Sequence, residues 1–175
     1  MSSFRARQDR IIAKRIAMIG KTMRAILLVC LGLLAATPVG AENPAPYSGT
    51  KVIETGTPFA AFVDKLTAAV SANKMGIVAQ ACADCGAKSI GVAIPGNRVI
   101  MVYRPDFAVR MLKASVASGI EAPLRLYVTE RPDGSARLTY RLPSHVFGAY
   151  QVAALDEMGK ELDVIVAKIV ADATK

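Results

Sequence analysis

The sequence predicts an α+β domain of two layers, a mainly antiparallel sheet of four to five strands with helices packed on one face. Three observations lead there. The C-terminal stretch repeats apolar residues at helical spacing. A Pro-Asp-Gly turn separates two short strand-like runs. The elements follow one another as strand, helix, two strands, short helix, two strands, helix. Each half-apolar face in that series needs a partner, and a helix layer laid on a sheet gives one to both.

The first strand is read in Lys51-Val52-Ile53-Glu54-Thr55-Gly56. Thr57 then serves as an N-cap and Pro58 as the first helical residue, where a missing N–H costs nothing. Phe59, Phe62, Val63, Leu66, Ala69 and Val70 give the helix one apolar stripe. Met75 to Cys82 reads as the second strand. Val99 to Tyr103 is a continuous apolar run between Pro95-Gly96-Asn97-Arg98 and Arg104-Pro105, which suits a central strand. Asp106 is expected to cap a helix beginning at Phe107 and ended by Gly119. Leu124–Glu130 and Ala136–Leu142 form a hairpin across Arg131-Pro132-Asp133-Gly134-Ser135, because Pro followed by Asp-Gly has the backbone preferences of a turn. Val152, Leu155, Met158, Leu162, Ile165, Val166, Ile169 and Val170 form the stripe of the last helix, with Gly159 the one weak point in it.

Ahead of this domain lies a segment of another kind. A basic stretch ends at Arg24, an apolar run covers Ala25 to Ala36, and Thr37-Pro38-Val39-Gly40-Ala41 follows. These are the three parts of a secretory signal, with cleavage expected after Ala41. Twelve apolar residues fall short of the ~20 that a membrane-spanning helix needs, so no stable anchor is expected once the signal is removed. An uncleaved anchor or a buried helix is the alternative, and Met18 or Met23 are candidate true starts. The organisation is therefore a signal peptide at 1–41, a flexible Pro- and Gly-rich leader at 42–50, and one domain at 51–175. The compartment expected is the periplasm or the exterior.

Charge must be counted with that division in mind. The chain has 22 Lys and Arg against 14 Asp and Glu, a net charge of +8. Seven of those bases and one acid lie in residues 1–41, which leaves 15 and 13 in the rest, a net of only +2. The high pI therefore belongs to the leader segment and is no argument for nucleic-acid binding. With no Trp and 6% aromatic residues, a base-stacking platform is not expected either.

Several short patterns occur in a recognisable order. They are Pro58-Phe59-Ala60-Ala61-Phe62-Val63-Asp64-Lys65-Leu66, Ala87-Lys88-Ser89-Ile90-Gly91, Ala122-Pro123-Leu124-Arg125, Asp133-Gly134, and Tyr140 through Pro143. Together they resemble the bacterial family known as domain of unknown function 302, and Asp106-Phe107-Ala108-Val109-Arg110-Met111-Leu112 is similar to a helix of its exported branch. The resemblance implies a small strand-helix-four-strand-helix fold that often pairs into homodimers, and no established activity. Two departures matter. Many members have Asp-His where this chain has Cys82-Ala83, and Gly-Asn-Pro-x-x-Gly-Thr near Tyr103 to Val109, so no polar site built from those residues carries over.

The one constellation with its own chemistry is Cys82-Ala83-Asp84-Cys85. Export removes Cys30 and leaves these two thiols in an oxidising compartment. The ends of a four-residue turn come within reach of a disulfide. So small a loop adds only about 2 kcal/mol to stability in the chain-entropy account, and a strained bridge would be readily reduced. Three readings stay open: a structural bridge, a redox-active pair, and a metal site. No His follows Cys85, which excludes covalent haem attachment. Against redox work stands Asp84, whose charge disfavours a neighbouring thiolate, with Lys88 the only cation close by in sequence. A zinc or iron–sulfur site wants more than two thiolates, so a metal would need His145 or a second chain to complete its ligands.

Arg104, Arg110, Lys113 and Arg125 are candidates for one basic patch that would hold an anionic ligand, and His145 is a lone candidate ligand or base. No phosphate loop, His-Glu-x-x-His or nucleophile elbow is present, so no catalytic residue is assigned and no cofactor is expected beyond a possible metal. The leading functional reading is a non-enzymatic ligand-binding or protein-interaction domain. A thiol–disulfide or sulfur-handling protein using Cys82 and Cys85 is one alternative, and a dimer binding metal through the same cysteines is another.

Overall fold

The computed structural model describes residues 47–175, so the signal peptide, the cleavage site at Ala41 and the start of the leader lie outside the described residues. The order is β1 (Thr50–Pro58), α1 (Phe59–Ala72), β2 (Gly76–Cys82), α2 (Ala83–Ser89), β3 (Asn97–Tyr103), α3 (Pro105–Ala114), a 3-10 turn (Val116–Glu121), β4 (Leu124–Glu130), β5 (Ser135–Arg141), α4 (Pro143–Gly148) and α5 (Ala153–Ala173). The sheet runs β1-β5-β4-β3-β2 with every neighbouring pair antiparallel. Strands β1 and β2 are thus its two edges, and α1 carries the chain across from one to the other.

Alternation along the strands decides which face is covered. Ile100, Val102, Leu126, Val128, Leu138 and Tyr140 point to the helix layer and are buried. Their neighbours Val99, Met101, Arg125, Tyr127 and Thr139 point to the opposite, uncovered face. From the helix side come Phe62, Leu66 and Val70 of α1 and Leu155, Met158, Leu162, Val166 and Ile169 of α5, all 3% exposed or less. Each of these side chains contributes about 1.5–3 kcal/mol on burial, so the core as a whole dwarfs anything a four-residue disulfide adds. The α+β architecture with helices on one face is therefore as the sequence predicts.

The hairpin works by the expected chemistry. Arg131 N–H donates to Ser135 O and Gly134 N–H to Arg131 O, both at 2.8 Å, while Asp133 Oδ1 accepts from the Ser135 N–H and hydroxyl. Gly134 sits at φ +79°, a conformation that costs a glycine nothing.

Local details differ from the sequence reading. Thr57 does not cap α1. It stays in β1, Pro58 takes the N-cap position, and the Phe59 N–H donates to Gly134 O at 3.1 Å, so the hairpin caps the helix. Helix α3 begins at Pro105 instead of Phe107, placing Asp106 inside its first turn, and it stops at Ala114 because the chain tightens into the 3-10 turn. Helices α2 and α4 are seven and six residues long, too short to show a periodic stripe, and no sequence signal marks either. Gly159 is where α5 meets α4: a Cβ there would lie 2.7 Å from the Ser144 backbone, so the weak point of the stripe is a requirement of close packing. The end of the expected leader is ordered too. Thr50 N–H donates to Tyr47 O, and the His145 side chain occupies the space that a Cβ on Gly49 would need.

Candidate functional site

Cys82 ends edge strand β2 and Cys85 sits in the first turn of α2, with Cα atoms 5.2 Å apart and a disulfide between them. The two sulfurs differ. Cys82 is half-buried and its Sγ accepts the Cys85 backbone N–H at 3.0 Å, while Cys85 is exposed. Neither belongs to the buried core.

Asp84 does lie against the sulfurs, with Oδ1 3.5 Å from Cys82 Sγ. Its charge is not left naked, however. Arg98 of β3, which pairs with Cys82 in the β2–β3 ladder, makes an ion pair with that same Oδ1, and the Asn97 N–H donates to it at 3.0 Å. Arg98 in turn lies over the Phe59 ring, 5.6 Å from its centroid. Gly96 makes this possible, because a Cβ there would meet the Phe59 ring at 2.5 Å. The objection that Asp84 has only Lys88 for a counter-charge is therefore corrected: the cation comes from the neighbouring strand, 14 residues along.

Cys82, Asp84 and Cys85 place one ligand atom each within 4.8 Å of the others, a group that could hold a metal ion once the sulfurs are reduced. His145 cannot join it within one chain. It lies on α4 against Gly49 beside β1, at the opposite edge of the sheet from β2.

Of the four basic candidates, Arg104 and Arg110 come together while Arg125 lies on another face. Arg104 and Arg110 flank the Phe107 ring, at 4.2 and 5.2 Å from its centroid. Each is already engaged. Arg104 grips Asp106 through two bonds of 2.7 and 3.0 Å and holds its carboxyl below the usual carboxylate range. Arg110 grips Glu161 of α5 through two bonds of 2.7 Å, which lowers that carboxyl and raises the guanidinium. Arg125 is exposed on the uncovered face of β4, away from both, and Lys113 is in the last turn of α3. Beneath Arg104 opens a small pocket of about 30 Å³, which the sequence reading missed; Met75, Met111, Met158, Phe107, Phe147 and Leu162 line it. Its residues come from five separate stretches, so no local pattern announces it.

A domain of this layering, with an exposed Cys-x-x-Cys bridge at a sheet edge, is a small α+β module of the kind grouped by fold before activity. Residues 51–173 match the model of the family described as domain of unknown function DUF302, and the chain belongs to that family. Among solved structures it is similar to the crystal structure of an uncharacterized conserved DUF302 protein from Bacillus stearothermophilus, with a TM-score of 0.65 and 16% identity over 72% of this chain and 98% of that one. At that identity the likeness concerns the fold. No curated protein matches the chain. Among the described residues, no helix is long and apolar enough to cross a membrane.

Proposed function

We propose that the protein is an exported thiol–disulfide exchange domain in which Cys82 and Cys85 are the working pair. The observation that carries this is the placement of the bridge: outside the core, at a sheet edge, with Cys85 exposed and the adjacent Asp84 charge balanced by Arg98. A bridge so placed adds little that the core lacks, yet can be reached by another thiol. In the exchange, a substrate dithiol passes two electrons and two protons to the bridge, ending as a disulfide while Cys82 and Cys85 become thiols. Equilibration of the protein against dithiothreitol buffers tests this. A reduction potential well above about −300 mV is expected, and a value at or below that figure would make the bridge structural. Export itself rests on the pattern of residues 1–41, and predicts a mature chain beginning at Glu42.

A second reading, a ligand-binding or interaction domain, is favoured by Val52 and Tyr127 standing exposed on the uncovered sheet face. That face is where a homodimer would form. The same cysteines, once reduced, would be the ligands of a metal-binding dimer.

A further inference from the structure

A thiolate that meets a disulfide can attack either sulfur, and here the two outcomes differ. The attacked sulfur keeps the incoming group, while the other departs as a thiolate; the better that thiolate is stabilised, the faster it leaves. Cys82 Sγ has a backbone donor, the Cys85 N–H at 3.0 Å, and its neighbouring carboxylate is tied to Arg98. Cys85 Sγ accepts no hydrogen bond among the described residues, and its residue is the exposed member of the pair. Access and leaving-group stability therefore favour the same direction.

The surroundings say what kind of thiol can profit. Ile90, Val92 and Ile94 follow α2 and stand 77%, 48% and 42% exposed. The loop that carries them folds back on the helix, with Val92 N–H donating to Ala87 O at 2.9 Å. Val78, at the irregular point of β2, is 53% exposed. Strand β2 is an edge, so the backbone groups on its outer side have no strand to pair with. A small hydrophilic thiol gains nothing from these apolar side chains. An extended polypeptide with apolar residues around its cysteine can bury apolar surface against the loop that follows α2 and lie along the free edge.

Resting on the thiol-exchange reading above, we infer that Cys85 is the sulfur attacked, that Cys82 is the sulfur that leaves, and that the incoming thiol belongs to a cysteine in an apolar, extended polypeptide segment. The bonds balance. Substrate sulfur to Cys85 forms as Cys82–Cys85 breaks, and the electron pair goes to Cys82. A second thiol of the substrate then attacks the substrate sulfur of the mixed disulfide, Cys85 leaves as a thiolate, and the substrate ends as a disulfide with both protein cysteines reduced; attack of Cys82 on Cys85 would only reverse the first step.

The test uses the oxidised protein with an excess of a synthetic peptide bearing one cysteine between apolar residues, and in parallel with glutathione at equal thiolate concentration. Acid quenching, digestion and mass mapping show which cysteine carries the adduct. Adducts on Cys85 about tenfold over Cys82, formed about tenfold faster with the peptide than with glutathione, are expected. A Cys82→Ser variant, given the same peptide as its disulfide-linked dimer, should take the adduct on Cys85 with release of one peptide thiol and keep it, because no second protein thiol is present to displace it. Adducts mainly on Cys82 would overturn the polarity, and equal rates with both thiols would overturn the substrate class. No adduct with either thiol, together with a potential at or below about −300 mV, would instead remove the thiol-exchange reading on which the inference stands.

Discussion

Strand β3 has an arginine at each end, and the two ends use the same parts for different results. Arg98, at its start, stacks on Phe59 and pairs with Asp84; Arg104, just past its end, stacks on Phe107 and pairs with Asp106. At the far end the carboxylate lies on a helix, with no cysteine beside it among the described residues. At the near end the paired carboxylate stands between two cysteines. A cation–π and ion-pair clamp is thus a positioning device whose meaning comes from its neighbours: at one end it fastens α3, and at the other it cancels a charge that would oppose a thiolate.

The largest effect is expected from what the two ends share. Ile100 is fully buried in the middle of β3, so Ile100→Ala should cost about 2–5 kcal/mol in urea unfolding and loosen both clamps together. Next come the clamps themselves. Arg98→Gln should slow reduction of the bridge by dithiothreitol several-fold, since it leaves Asp84 uncompensated beside Cys82. Arg104→Gln should leave that rate unchanged. Equal effects from the two substitutions would erase the distinction between the ends.

The smallest effect concerns a third cluster, where Lys168, Lys175 and Asn73 all donate to Asp172 and hold its carboxyl below the ordinary value. A depressed folded-state value means that the stabilisation is present above about pH 4 and is lost as pH falls toward the lowered value. Asp172→Asn should therefore lower the melting temperature slightly at pH 7, less so in high salt, and progressively less as the pH falls below about 4. It should leave bridge reduction untouched at every pH.

Legibility in the sequence followed the range of the interactions. Pro132-Asp133-Gly134 and the stripe from Leu155 to Val170 are local patterns, and the hairpin and α5 lie where those patterns place them. Helices α2 and α4 span two turns or less, below the length at which a stripe can be read. The site was half visible for a related reason. Cys82 and Cys85 announce themselves by spacing, but Arg98 reaches Asp84 only because β2 and β3 pair antiparallel. In the same way Arg110 is visible as a cation, while Glu161, which occupies it, lies 51 residues away. Charges counted along a chain overstate what is free, because folding matches them at distances that composition does not see.

The exchange role of Cys82 and Cys85 is tested by the intact mass of the protein recovered from its native host, alkylated before and after mild reduction. The expected result is a chain beginning at Glu42 with no free thiol at first and two alkylated cysteines after mild reductant. A bridge that yields only to strong reductant under denaturing conditions would contradict it and return Cys82 and Cys85 to a structural role.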